Sequence, residues 1–227
     1  MPKLILFDVD GTLVDSGGAG REALDRTLLQ LTGIGNGFQS VSFGGKTDMQ
    51  ILREALSGHG LKTDREFVGG FFDCYPTHLK AAMATRTSLL KPRVRELLQT
   101  LQGRSGIFLG LLTGNVEIGA RMKLEPFLLN SFFSFGAFGD DEEDRNLLLP
   151  VAVRRFTARQ GIAVDYSDCV VIGDTPQDVA CAKAFAAPCI AVGTGYSPIE
   201  HLHATDADLV LEDLSDANLI VRWIEGL

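Results

Sequence analysis

Apolar residues follow two rhythms along this chain, and the rhythms alternate. Short continuous runs, Leu4-Ile5-Leu6-Phe7 and residues 107–112, 169–172 and 189–192, are closed by Asp, Thr or Gly; such runs read as strands covered on both faces. Between them apolar positions recur at helical spacing. Leu24, Leu28 and Leu31 share one face of residues 21–31, and Val94, Leu97, Leu98 and Leu101 share a face after Lys91, with Pro92 expected in the first turn. Thr47-Asp48-Met49-Gln50 and Thr63-Asp64-Arg65-Glu66 have the form of capping boxes, opening helices through residue 56 and towards residue 83. Further helices are expected over 116–124, 147–160 and 215–225, with apolar runs at 132–137 and 209–211 as additional strands. Ser197-Pro198-Ile199-Glu200 repeats the cap-and-proline pattern of Thr175-Pro176-Gln177-Asp178.

Strand and helix in strict alternation imply an α/β fold with a doubly wound, mainly parallel sheet and helices on both faces. The region from about 16 to 85 breaks the alternation, being helical throughout, and is expected to form an insertion. The predicted division is a core of residues 1–15 and 86–227 and a helical cap of residues 16–85. Gly33, Gly35 and Gly37 imitate part of a dinucleotide fingerprint but follow a helix, which removes the strand that such a motif requires.

Composition narrows the function. Of 227 residues 45% are hydrophobic and the mean hydropathy is +0.13, enough for a sizeable core. A net charge of -8 and a pI near 5.0 argue against nucleic-acid or anionic-membrane partners, so any anionic substrate must be captured by a local arrangement. No run approaches the ~20 apolar residues of a membrane span and no signal peptide is recognisable, so the cytoplasm is the expected location. Cys74, Cys169, Cys181 and Cys189 form no C-x-x-C pair and read as buried thiols, His201 and His203 as surface residues, and Trp223 as helix packing.

In doubly wound sheets ligands bind beyond the carboxyl ends of the strands. That rule brings Asp8, Asp10, Thr113 and Asp174 to one edge, since each follows a predicted strand. Asp8 and Asp10 are the most demanding pair, because close carboxylates repel unless a proton or a hard cation lies between them. Thr113-Gly114-Asn115 precedes a predicted helix, whose first amide groups favour an anion. Asp178, three residues after Thr175, suits a capping box as well as support of the site. Gly44-Gly45-Lys46-Thr47-Asp48 is a candidate substrate loop, with Lys46 supplying positive charge and Arg21 a weaker candidate; the alternative is a plain turn with a solvated lysine. Residues 140–144 read as a solvated acidic loop.

Asp8-Val9-Asp10-Gly11-Thr12, Thr113-Gly114-Asn115 and Gly173-Asp174-Thr175-Pro176-Gln177-Asp178, in this order, resemble the motifs of the haloacid dehalogenase-like hydrolase superfamily across nearly the whole chain. The helical segment resembles the cap of its phosphoglycolate phosphatase and beta-phosphoglucomutase branch. The resemblance implies a Rossmann-like core and a Mg2+-dependent hydrolase of small phosphorylated metabolites. Asp8 would be the nucleophile, forming an aspartyl-phosphate, and Asp10 the acid and base. Mg2+ would be held by the Asp8 carboxylate, the Asp10 backbone carbonyl and Asp174, with Asp178 in support. Thr113, Gly114 and Asn115 would bind the phosphoryl group. A family lysine is expected after this segment, yet none occurs between Phe138 and Arg155, which leaves Arg145 as the nearest cation to take its place. A sugar phosphomutase and a non-catalytic binding protein are the competing functions; family dehalogenases and phosphonoacetaldehyde hydrolases lack an acid matching Asp10.

Overall fold

The computed structural model describes residues 2–227. The chain opens with β1 (Lys3–Phe7) and β2 (Val14–Asp15), followed by three helices, α1 (Ala19–Thr32), α2 (Asp48–Gly58) and α3 (Arg65–Met83). It returns through β3 (Leu89–Leu90), α4 (Val94–Gln102), β4 (Ile107–Leu112), α5 (Glu117–Leu124) and β5 (Gly136–Ala137). The last part comprises α6 (Leu148–Gln160), β6 (Cys169–Gly173), α7 (Pro176–Lys183), β7 (Cys189–Val192), α8 (Ile199–His203), β8 (Leu209–Leu211) and α9 (Ala217–Glu225).

Six strands form one sheet in the order β5-β4-β1-β6-β7-β8, every neighbouring pair parallel. Period-two alternation divides the apolar runs between its two faces. Ile5, Phe7, Leu109, Leu111, Val170 and Ile172 pack with side chains of α4, α5 and α9. Leu4, Leu6, Leu112, Val171 and Cys189 pack with α6, α7 and α8 on the opposite face. With both faces covered no polar position is tolerated, which is why the runs are uninterrupted. The inserted helices have their own core, in which Leu24, Leu28, Leu52, Phe71, Tyr75 and Leu79 are buried. The two connections between insertion and sheet run side by side, β2 pairing antiparallel with β3. No helix among the described residues is long and apolar enough to cross a membrane.

Several local expectations shift. Pro92 lies before α4 and not in its first turn, because Arg93 adopts a left-handed conformation (φ 56°) and caps the helix as the chain turns away from the β2–β3 pair. The cap of α3 is Asp64, whose side chain accepts from Phe67 N, in place of Thr63. The cap of α2 is Thr47, accepting from Gln50 N, while the Gln50 side chain turns to Glu54 and does not complete a box. The run 132–137 pairs only at Gly136–Ala137, since Phe133 is used to pack edge-on against Phe7 at 5.9 Å. Ser197 caps nothing in α8, whose cap position is Pro198. Cys74 is half-buried, whereas the other three thiols are buried. His201 and His203 are exposed, and Trp223 packs against the core.

Candidate active site

β1 lies between β4 and β6, so the chain leaves it in opposite directions along the sheet and opens a crevice at the strands' carboxyl ends. Asp8 follows β1 directly and remains tied to the sheet through its N–H, which donates to the Ile172 carbonyl. Thr113 follows β4 in the same way, donating to the Ala137 carbonyl, and Asp174 follows β6. Asp8, Asp10, Thr113, Gly114, Asn115 and Asp174 all line one cavity of about 440 Å³, and Lys46 and Arg145 line it as well. All the residues expected at the site except Asp178 therefore face one space, and Asp178 stands just behind it, fully buried.

Within the cavity the two acids of the first motif part company. The backbone turns sharply at Gly11 (φ 86°), and the Asp8 and Asp10 carboxylates meet different partners. Asp8 Oδ1 is 3.1 Å from Arg145 Nη2, and its carboxylate lies in a group with those of Asp174 and Asp178. Burial raises the Asp8 pKa above its ordinary value, against the pull of Arg145 and with help from the Asp178 charge. Asp174 is raised well above the usual range, by burial first and then by Asp8 and Asp178, although Thr12 Oγ1 donates to it at 3.0 Å. Buried oxygen donors that repel each other are the donor chemistry of a hard divalent cation, and the Asp8, Asp174 and Asp178 carboxylates lie close enough together to hold one. Asp178 is otherwise engaged, forming a complete capping box with Thr175 and an ion pair with Arg145. Helix capping and an ion pair with Arg145 thus coexist in one carboxylate.

Asp10 points the other way, and its side chain is 36% exposed within the cleft. Its Oδ2 accepts from Lys123 Nζ at 2.5 Å and Asn115 Nδ2 at 2.8 Å, and its Oδ1 from Ser16 Oγ at 3.1 Å. Burial alone would push its pKa up, but the Lys123 charge and these hydrogen bonds outweigh that effect and hold it below the usual value. The Asp10 carboxylate consequently takes no part in the Asp8, Asp174 and Asp178 group.

Arg145 stands where the chain has no lysine, and its planar fork does what an ammonium cannot. Nη2 contacts Asp8 and Asp178 from the core, while Nη1 donates to the Gly45 carbonyl of the insertion at 3.2 Å. Its charge is strongly stabilised: burial works against it, and the two aspartates overcome that. The Gly44–Asp48 loop is pressed onto the core. Asp48 N donates to the Gly114 carbonyl at 2.7 Å, and a side chain at Gly114 would collide with the Lys46 carbonyl, so only glycine fits there. Lys46 is partly exposed, and its Nζ pairs with Glu54 Oε2 at 2.5 Å. Arg21 lies 3.8 Å over the Phe43 ring and donates to the Phe38 and Val41 carbonyls, which makes it a loop fastener. The 140–144 loop is likewise engaged: Asp140 accepts from Glu117 N, Asp141 pairs with Arg155, and Glu143 with Arg53.

Lys123 and Ser16 escaped sequence reasoning as site residues, while Asp48 and Thr12 entered it only as members of the candidate substrate loop and of the first motif. Lys123 alone left a signal, a lysine on the inner stripe of α5 between buried Ala120 and Leu124, where a charge is unexpected without a partner.

A fold and strand-end site of this kind define a hydrolase class, and a model of the haloacid dehalogenase-like hydrolases matches residues 2–186. The chain belongs to that family. Among its relatives is a phosphoglycolate phosphatase of Pseudomonas putida, 28% identical over a 221-residue alignment that covers 94% of this chain and 78% of that protein. A predicted phosphatase from Clostridium acetobutylicum shares the fold with a TM-score of 0.72 and 20% identity, covering 100% of both chains. CbbY from Rhodobacter sphaeroides, solved in complex with phosphate, superposes with a TM-score of 0.72 and 20% identity over 95% of this chain and 96% of that one.

Proposed function

We propose that this enzyme is a Mg2+-dependent phosphomonoester hydrolase of the cytoplasm that acts on a small phosphorylated metabolite through an aspartyl-phosphate on Asp8. The observation that carries the reading is the division of labour between neighbouring acids, Asp8 facing Arg145 and Asp174 while Asp10 faces Lys123 and Asn115. The names and folds of the relatives agree with it, and free thiols suit a reducing compartment.

In this scheme an Asp8 carboxylate oxygen attacks phosphorus, the bond from phosphorus to the ester oxygen breaks, and Asp10 gives a proton to the departing alcohol. A water then attacks phosphorus, returns a proton to Asp10, and frees Asp8 and inorganic phosphate. Asp10, held on the acidic side of its normal range by Lys123, is suited to receiving that proton only when negative phosphate charge offsets the lysine. Bound by the Asp8 and Asp174 carboxylates and the Asp10 carbonyl, Mg2+ would lower the repulsion between carboxylate and phosphate. Thr113 and the Gly114 and Asn115 amides would hold phosphoryl oxygens, and Arg145 would add charge to them while keeping Asp8 in line. Residues 16–85 serve as the cap that shields the leaving-group side, with Lys46 at its rim.

A panel of phosphomonoesters with Mg2+ tests the proposal by release of inorganic phosphate. Wild type should turn over part of the panel. Asp8→Asn should lose at least about a thousandfold, as expected for a nucleophile, and Arg145→Ala about a hundredfold, as for a charge acting in the transition state. No release from any ester, or full turnover by Asp8→Asn, would overturn it. Phosphate moved to a second sugar hydroxyl without release would instead identify a mutase.

A further inference from the structure

Lys123 is the buried charge whose place the scheme above does not explain. It projects from α5 with only 5% of its side chain exposed, and its ammonium touches Asp10 Oδ2 and Asn115 Oδ1, each at 2.5 Å. Burying an ammonium is costly unless partners compensate it, so a lysine here has to serve its partners. The result is an asymmetric grip on Asp10. Oδ2 takes two nitrogen donors, while Oδ1 has only the Ser16 hydroxyl at 3.1 Å and is the oxygen free to turn to a ligand.

The slot that holds the ammonium is built from both parts of the molecule. Below it are α5 and Asn115, from the core. Above it is Gly20 of α1, where a Cβ would stand 3.1 Å from Lys123 Nζ, and Tyr75 of α3, whose ring packs so closely on Gly119 that a Cβ there would stand 3.1 Å from it. Asp48, at the start of α2, adds a negative charge that also stabilises the ammonium. Insertion and core thus meet on one lysine.

We propose that Lys123 is a positioning residue for Asp10: it anchors Oδ2, leaves Oδ1 for the leaving-group oxygen, and is itself held in place only when α1 and α3 complete its slot. Seating of the cap and placement of the proton donor are then one event, and the donor is assembled only over an enclosed substrate. This rests on the phosphatase reading, in which Asp10 protonates the alcohol.

The test uses leaving groups that differ in their need for a proton. An alkyl ester such as glycerol phosphate releases a basic alkoxide, whereas p-nitrophenyl phosphate releases a phenolate that leaves unaided. Lys123→Met should lower kcat/KM for the alkyl ester by about a hundredfold, the usual size of general-acid assistance, and for the aryl ester by no more than about a tenth of that factor. Gly20→Ala, which pushes a methyl group towards the ammonium while improving helix propensity, should show the same bias on a smaller scale with no loss of Tm. It decides the matter should Lys123→Met fail to fold. Equal losses on both esters, or none, would overturn the role of Lys123. Asp10→Asn separates the two levels: if it shows the leaving-group bias and the Lys123 and Gly20 variants do not, only the lysine assignment falls, whereas absence of the bias in Asp10→Asn removes the acid role on which it rests.

Discussion

Charge in this cleft is distributed residue by residue, and each buried group is kept by a partner from a distant part of the chain. Asp48 shows the cost. Burial raises its pKa to about 6, against the opposing effects of Lys123 and the Val116 N–H. The folded state therefore binds its proton more tightly than the unfolded chain, and stability is lost as pH rises from about 4 through 6. Above that window the charged form destabilises the fold by up to roughly 3 kcal/mol. Asp48→Asn keeps an oxygen for the Val116 N–H and removes the penalty. Its Tm should exceed wild type at pH 7.5, with the gap narrowing towards pH 5; thermal melts across that range showing a gap that widens on acidification would contradict this account. Arg145 illustrates why a type of residue can be legible while its work is not. A cation in that stretch was expected from the missing lysine, but the double contact with Asp8 and the Gly45 carbonyl joins positions far apart in the chain.

At the scale of elements, α5 is capped by other parts of the fold. Val116 at its N-cap has no capping side chain, and the first amides are satisfied by Asp48 from α2 at 2.9 Å and Asp140 from a loop at 3.0 Å. A helix N-terminus favours such carboxylates, and the Asp48 contact fastens the insertion to the segment that follows β4. The fastening loop depends on Gly45, which has φ 69° and would direct a side chain into the stem of Gln177. Gly45→Ala should raise KM about tenfold through a displaced loop, the strained φ alone costing about 1 kcal/mol, with kcat less affected. Steady-state kinetics that leave KM unchanged would show that the loop does not shape substrate binding. Thr175-Pro176-Gln177-Asp178 was readable as a helix start because cap, proline and acid are all local. The α3 and α4 starts were misjudged by one or two residues for the opposite reason, since the chain direction set by β2 and β3 selects among several acceptable caps.

Across the whole molecule, the proposed cation site implies a folded state that responds to divalent cations. Asp8 and Asp174 repel each other in their buried group, and a cation that binds only the folded state adds about 2.7 kcal/mol at a hundred times its Kd. Mg2+ should therefore raise Tm by about 5–10 °C for a chain of this size, saturably. In Asp174→Asn that rise should largely vanish, while the metal-free variant melts above metal-free wild type because a buried repulsion is gone. Scanning calorimetry in which Asp174→Asn responds to Mg2+ as wild type does would move the cation elsewhere.

What the sequence determined by itself was whatever short-range patterning can encode. Uninterrupted apolar runs between amphipathic segments dictate a parallel sheet covered on both faces, and the acids and threonine just beyond those runs must gather at the sheet's carboxyl edge. The Asp8-Val9-Asp10 stretch announced two close carboxylates for this reason. Tertiary structure alone decided which way each turned, because the partners that separate them, Arg145 for Asp8 and Lys123 for Asp10, stand more than a hundred residues away in the chain. Burial and pairing fix the charge of such groups, and both arise only when the inserted helices close against the end of the sheet.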